Sequence, residues 1–204
     1  MLEEHEPFLI DEVKELRGDV ALDVGANTGD WSIFLAERFK TVVAYEPHPQ
    51  AVNQLLKNTD EIDNIVVVPT AVGSYLGSVE LNMFQDHSHT SVLPPGDESF
   101  EPWRSKSANK ILLTKCLTLD SHVDFDTRLV GFVKVDVEGM EVEVLKGAIG
   151  LVEKHKPVWL IEVHSNQLGI EIRRMLQGAG YTVKDIPHPN TPELSHGWVI
   201  ARMI

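Results

Sequence analysis

The chain is poor in cysteine, in basic tracts and in long apolar runs, and each shortage closes off a class of protein. Cys116 is its single cysteine among 204 residues. An intramolecular disulfide is therefore excluded, which fits a reducing compartment. No basic tract occurs and the formal net charge is −13. A surface of that sign repels a phosphate backbone, so nucleic acid is discounted as the main partner. A positively charged small cofactor is compatible with it. No apolar run approaches the roughly 20 residues that cross a bilayer. The opening residues Met1-Leu2-Glu3-Glu4-His5-Glu6 are acidic, without the pattern of a signal peptide. A cytoplasmic protein without a membrane partner is expected. There is no internal repeat, and 43% hydrophobic composition suits one core, hence a single domain over 1–204.

A further absence lies inside the most informative stretch, Val20-Ala21-Leu22-Asp23-Val24-Gly25-Ala26-Asn27-Thr28-Gly29-Asp30-Trp31. It reads as a buried strand, a glycine turn and a helix whose apolar stripe is Trp31, Phe34 and Leu35. A dinucleotide fingerprint would run G-x-G-x-x-G. Here the glycines are Gly25 and Gly29 with Asn27 between, so the middle glycine that admits a pyrophosphate is missing. A phosphate-free nucleoside such as S-adenosylmethionine suits the turn better. Asp23, Gly25, Ala26, Asn27, Thr28 and Gly29 are its candidate cofactor residues. The plain alternative is a glycine turn that only joins strand to helix.

A second strand, Thr41 to Glu46, ends in an acid about 20 positions after the glycine turn, the place from which a carboxylate accepts ribose hydroxyls. Glu46, followed by Pro47, is the candidate. Pro49 then suits the first turn of a helix.

The remaining chain alternates strands and helices. An opening helix is expected over residues 4–17, within an N-terminal segment 1–18, with Leu9, Ile10, Val13 and Leu16 on one face. Asn64–Val68 is a strand, and Gly73-Ser74-Tyr75 with Ser78–Phe84 reads as a hairpin about Leu76-Gly77. Residues 85–110, broken by prolines, are too long for a plain connection and are read as a lid over an acceptor. Val130–Val137 is a central strand with Asp136 at its end, on the face of Lys134 and Glu138. One long helix is expected from Gly139 to Lys156, then a strand ending in Glu162 and His164. Two closing strands without a helix between them complete the pattern. The fold class is α/β: a doubly wound, mostly parallel seven-stranded, Rossmann-like sheet. It carries an antiparallel C-terminal hairpin and an inserted hairpin and lid around 73–115.

The strings LDVGANTGDWS, YEPHP, VVVPTAVGS, FVKVDVEGMEVEVLKGA and PVWLIEVH occur in this order from Val20 to His164. Together they resemble the FkbM family of S-adenosylmethionine-dependent methyltransferases. The resemblance implies a class I methyltransferase fold and O-methylation of a hydroxyl on a sugar, glycan or secondary metabolite. It also places adenine contacts on Ala71 and Val72, and puts the His89-Thr90-Ser91 region, with His89 and Ser91, on the acceptor side. The partner so implied is a small-molecule or glycan hydroxyl acceptor; no oligomeric state is assigned.

Methyl transfer from a sulfonium is an in-line displacement, so the protein must chiefly align donor and acceptor. A hydroxyl acceptor also needs a base. Asp136, Glu138 and His164, all at strand ends, are the catalytic candidates, each with a structural alternative: fixing the cofactor's amino group, stabilising a helix start, or packing. No metal is assigned, although Asp136, Glu162, His164, His87 and His89 have donor types that suit Mg²⁺ or a transition ion. Two other functions share these features. An NAD-dependent oxidoreductase is disfavoured by the missing glycine, and a non-catalytic nucleoside-binding module would use the same scaffold.

Overall fold

The computed structural model describes residues 6–83, 110–123, 128–189 and 197–203. The chain runs α1 (Pro7–Val13), β1 (Gly18–Val24), α2 (Asp30–Ala36), β2 (Phe39–Tyr45), α3 (Pro49–Asn58), β3 (Ile65–Val68), β4 (Ala71–Val72) and β5 (Gly77–Met83). It continues with β6 (Lys110–Leu117), α4 (Leu119–His122), β7 (Val130–Val135), α5 (Glu141–Lys146), α6 (Ile149–His155), β8 (Val158–Val163), α7 (Asn166–Gly178), β9 (Thr182–Pro187) and β10 (Gly197–Arg202).

Seven strands form one sheet in the order β3-β2-β1-β7-β8-β10-β9. All neighbours from β3 to β8 are parallel, and β10 runs antiparallel to both β8 and β9. This is the expected doubly wound sheet. Its strands are apolar on both faces because helices cover both. Val20, Leu22, Val24, Val133, Val135 and Ile161 face α5, α6 and α7 within one cluster. On the other face, Ala21, Phe132 and Leu160 pack with Leu9, Trp31, Phe34, Trp198 and Ile200. The opening helix therefore lies against the sheet, and its described part is shorter than the expected span.

The register matters most for function. Val24 pairs with Tyr45 on one side and with Val135 on the other, and Val135 pairs with Ile161. The carboxyl ends of β1, β2, β7 and β8 thus come level. Between β1 and β7 the winding changes direction, which opens a crevice at those ends.

Two expectations need correction. Residues 73–75 do not pair with β5 as a hairpin. Instead β5 pairs antiparallel with β6, and β4 joins the other side of β6 in a three-stranded sheet ordered β4-β6-β5. The expected helix from Gly139 to Lys156 is two helices, α5 and α6, broken at Gly147-Ala148. The chain passes close to another segment at this break, and only glycine fits: a Cβ on Gly147 would sit 2.0 Å from the Gly73 carbonyl oxygen. Asp120 stabilises the new helix start, its carboxylate accepting from the Gly150 and Leu151 amides at 2.8 and 2.9 Å. Residues 85–109 of the expected lid lie outside the described residues, and Lys110 is the first residue of β6. Among the described residues no helix is long and apolar enough to cross a membrane.

Because the obstacle is backbone rather than a movable side chain, Gly147→Ala is expected to destabilise the fold by about 1–3 kcal/mol. Urea denaturation of the variant beside the parent chain checks this.

Candidate active site

The turn between β1 and α2 is held by its own amides. Gly25, Asn27 and Gly29 have φ of 80°, 48° and 100°, which explains why glycine or asparagine stands at each. Gly25 has a second reason: a Cβ there would fall 1.7 Å from the Asp136 carbonyl oxygen. The Gly25 and Ala26 amides both donate to the Tyr45 carbonyl at 2.9 Å, and the Gly29 amide donates to the Ala26 carbonyl at 2.9 Å. The Asn27 amide donates to Glu46 Oε2 at 2.8 Å. A phosphate site needs amides aimed at the ligand. These four are spent within the protein.

Below the turn lies a buried ionic core. Lys134 Nζ donates to the Gly25 carbonyl at 2.9 Å and lies 3.4 Å from Asp136 Oδ2 and 3.5 Å from Asp23 Oδ1. Ser32 donates to Asp23 Oδ2 at 2.6 Å. Burial alone would lower the Lys134 pKa, but the carboxylates of Asp136 and Asp23 outweigh it and hold the ammonium above its ordinary value.

Glu46 is also largely enclosed. Its two oxygens accept from the Asn27 and His48 amides, each at 2.8 Å. Burial pushes its pKa up to about 7, against the opposing pull of those bonds. His48 caps α3 in turn, its Nδ1 accepting from the Gln50 and Ala51 amides.

Across the crevice, Asp136, Glu138, Glu162 and His164 gather at the ends of β7 and β8. His164 Nδ1 donates to Glu141 Oε1 at 2.9 Å, and the same oxygen accepts from the Gly139 amide. His164 Nε2 stands 3.3 Å from Glu138 Oε2 and 3.8 Å from both Asp136 Oδ1 and Glu162 Oε2. Burial would lower the imidazole pKa, yet Glu162, Glu141 and Asp136 raise it to about 9. Burial likewise lifts Asp136, but Lys134 and His164 bring it below the usual carboxylate range. Glu162 is pushed well above that range by burial and by Asp136, with which it shares a side-chain hydrogen bond. With its pKa at about 9, His164 is an imidazolium at neutral pH.

One cleft joins the two sides. Its lining includes Gly25, Asn27, Glu46, Pro47, Ala71 and Val72 on the turn side and Asp136 and Glu138 on the other, with Tyr45, Thr70 and Met140 between. Four residues expected as cofactor contacts do not line it, and the reason is packing. Asp23 is fully buried beneath the turn. Ala26 packs with Ala44 and Leu55. The Thr28 carbonyl accepts from Asn58, and Gly29 lies so close to Leu55 that a Cβ would meet it at 2.6 Å. His164 is buried behind Asp136 and Glu138. His87, His89 and Ser91 lie outside the described residues. The parts that sequence reasoning missed are the anchoring roles of Lys134 and Glu141. A lone lysine inside the apolar run Val130–Val135 was the available signal for the first, since buried ammonium groups require carboxylates.

With the geometry in place, comparison with known proteins decides the family. Residues 23–183 match the methyltransferase FkbM domain. The chain belongs to the FkbM methyltransferase family. Hexuronic acid methyltransferase AglP of Haloferax volcanii is 28% identical over 180 residues, covering 84% of this FkbM chain and 66% of that protein. The solved methyltransferase FkbM of Methylobacillus flagellatus KT superposes with a TM-score of 0.63 at 20% identity, over 93% of this chain and 45% of that one. Fibrillarin of Aeropyrum pernix, solved with natively bound S-adenosyl-L-methionine, gives 0.54 at 14% identity over 91% and 67%. The chain thus spans about two thirds or less of the length of the first two, and the two structures support the class I methyltransferase fold.

Removing the central cation should expose the cost of the buried charges. Lys134→Met is expected to destabilise the FkbM fold by about 3–5 kcal/mol by leaving carboxylates uncompensated. Pairing it with Asp23→Asn should recover part of the loss, as read in chemical denaturation.

Proposed function

We propose that this chain is an S-adenosylmethionine-dependent O-methyltransferase acting on a hydroxyl of a sugar or related metabolite. The observation that carries the reading is the two-sided cleft. A nucleoside-shaped wall of Gly25, Asn27, Glu46 and Ala71–Val72 faces a proton-handling wall of Asp136 and Glu138. Asn27 Oδ1 is buried and finds no hydrogen-bond partner among the described residues, which suits a polar group of a ligand in that wall. Glu46 retains lone pairs for ribose hydroxyls after accepting its two amides. The name of the Haloferax volcanii relative, a hexuronic acid methyltransferase, supports a sugar acceptor.

When bound, the cofactor supplies an electrophilic methyl group on a sulfonium, so no further activation of the leaving group is required. The chain's own task is alignment and removal of the hydroxyl proton. Asp136 and Glu138 are the carboxylates that receive it. His164, an imidazolium at neutral pH, acts as a positioning residue that holds them together.

Incubating the protein with methyl-labelled cofactor and a panel of hexoses, hexuronic acids and their glycans tests the reading. Labelled, base-stable methyl ethers are expected, whereas label on nitrogen or in no acceptor rejects it. Glu46→Ala should weaken cofactor binding by about 1–3 kcal/mol.

Ribose hydroxyls favour the ionised form of Glu46, so binding lowers its pKa and releases a proton. Affinity should therefore fall as pH drops through about 7, by up to about tenfold per pH unit. Calorimetry across pH 6 to 8, with Glu46→Gln expected to lose the slope, checks the sign.

A further inference from the structure

We propose that Asp136, Glu138 and His164 form a binding site for a divalent cation of the Mn²⁺ or Mg²⁺ type at the floor of the cleft. One ligand atom from each lies within 4.8 Å of the others. The separations from His164 Nε2, 3.3 Å to Glu138 Oε2 and 3.8 Å to Asp136 Oδ1, are long for hydrogen bonds. The first matches two adjacent donors on one ion; the second lies between adjacent and opposed donors, so closing the set about an ion takes a small side-chain adjustment. Donors about 2.1 Å from a metal lie roughly 3.0–3.5 Å apart at tetrahedral or octahedral angles and about 4.2 Å apart when opposed.

The imidazole is also oriented as metal-bound histidines are. Nδ1 donates to Glu141, a fully buried carboxylate on the far side of the ring, and this fixes Nε2 toward the carboxylates. Such carboxylate–histidine pairs support ligands in metal centres. Glu162 Oε2 borders the set, 3.8 Å from Nε2. Two carboxylates and one imidazole suit a hard to borderline ion. Because Asp136 and Glu138 line the cleft, the ion's open positions would face the acceptor side.

A divalent ion here takes the place of the Nε2 proton and adds one further positive charge among four carboxylates. Its role, polarising an acceptor hydroxyl so that a weak carboxylate base suffices, rests on the methyltransferase reading; its binding does not.

The test uses the full chain, stripped with EDTA, titrated with MnCl₂ and followed by loss of the free-ion electron paramagnetic resonance signal. One Mn²⁺ per chain is expected, displaced by excess Mg²⁺. Glu138→Gln and His164→Gln should abolish binding, Glu141→Gln should weaken it by about 10–100-fold, and the exposed Glu61→Gln should leave it unchanged. Circular dichroism identifies any variant that fails to fold, and the parent titration stands without them. No bound Mn²⁺ in the millimolar range, or equal binding in all four variants, overturns the site. Calorimetry with S-adenosylmethionine on the same stripped protein separates the two ideas. Cofactor binding without Mn²⁺ binding rejects the metal site alone, and Mn²⁺ binding without cofactor binding rejects the methyltransferase reading alone.

Discussion

A single buried ammonium ties this molecule's cleft together. Lys134 reaches from the middle strand to the carbonyl of Gly25 and to carboxylates of both β1 and β7. Without it, Asp23 would be a fully buried charge resting on one hydroxyl, a state the protein interior does not tolerate. With it, the glycine turn is drawn down onto the tip of β7, where the carbonyl of Asp136 leaves no room for a side chain on Gly25. Turn, charge and strand end determine one another.

The wider fold serves this junction. Level strand ends follow from register, and register follows from burying apolar residues on both faces of the sheet. Helices on each side then isolate the ionic core from water, which strengthens attraction and repulsion alike. That is why His164 remains charged in a buried place and why the Glu162 carboxyl is pushed above its usual range. The cluster at the ends of β7 and β8 is built from mutual compensation among neighbours, each group's affinity for a proton shifted by the others.

Much of this was readable from the chain. Alternating strand and helix patterns, with acids at strand ends, gave the parallel sheet and pointed to the turn after β1 and to Glu46, Asp136 and His164. What sequence could not supply was depth. Asp23, Ala26, Thr28 and Gly29 stand in the motif beside Gly25 and Asn27, yet their contacts are with the protein's own interior and with α3. The split between α5 and α6 was hidden too: the contact made at the break, Gly73 against Gly147, spans 74 positions. Pairing of β5 with β6 rather than with its nearest neighbour is likewise a long-range choice, invisible to local turn chemistry.

The glycine turn carries a last consequence. Three consecutive amides, from Gly25 to Asn27, already satisfy acceptors on β2 and on Glu46. Converting this cleft into a dinucleotide site would require more than restoring a glycine at the middle position: the end of β2 would have to be rebuilt so that those donors were released. The turn and the neighbouring strand are thus bound into one hydrogen-bonded unit, and freeing those donors for a phosphate would require both to change together.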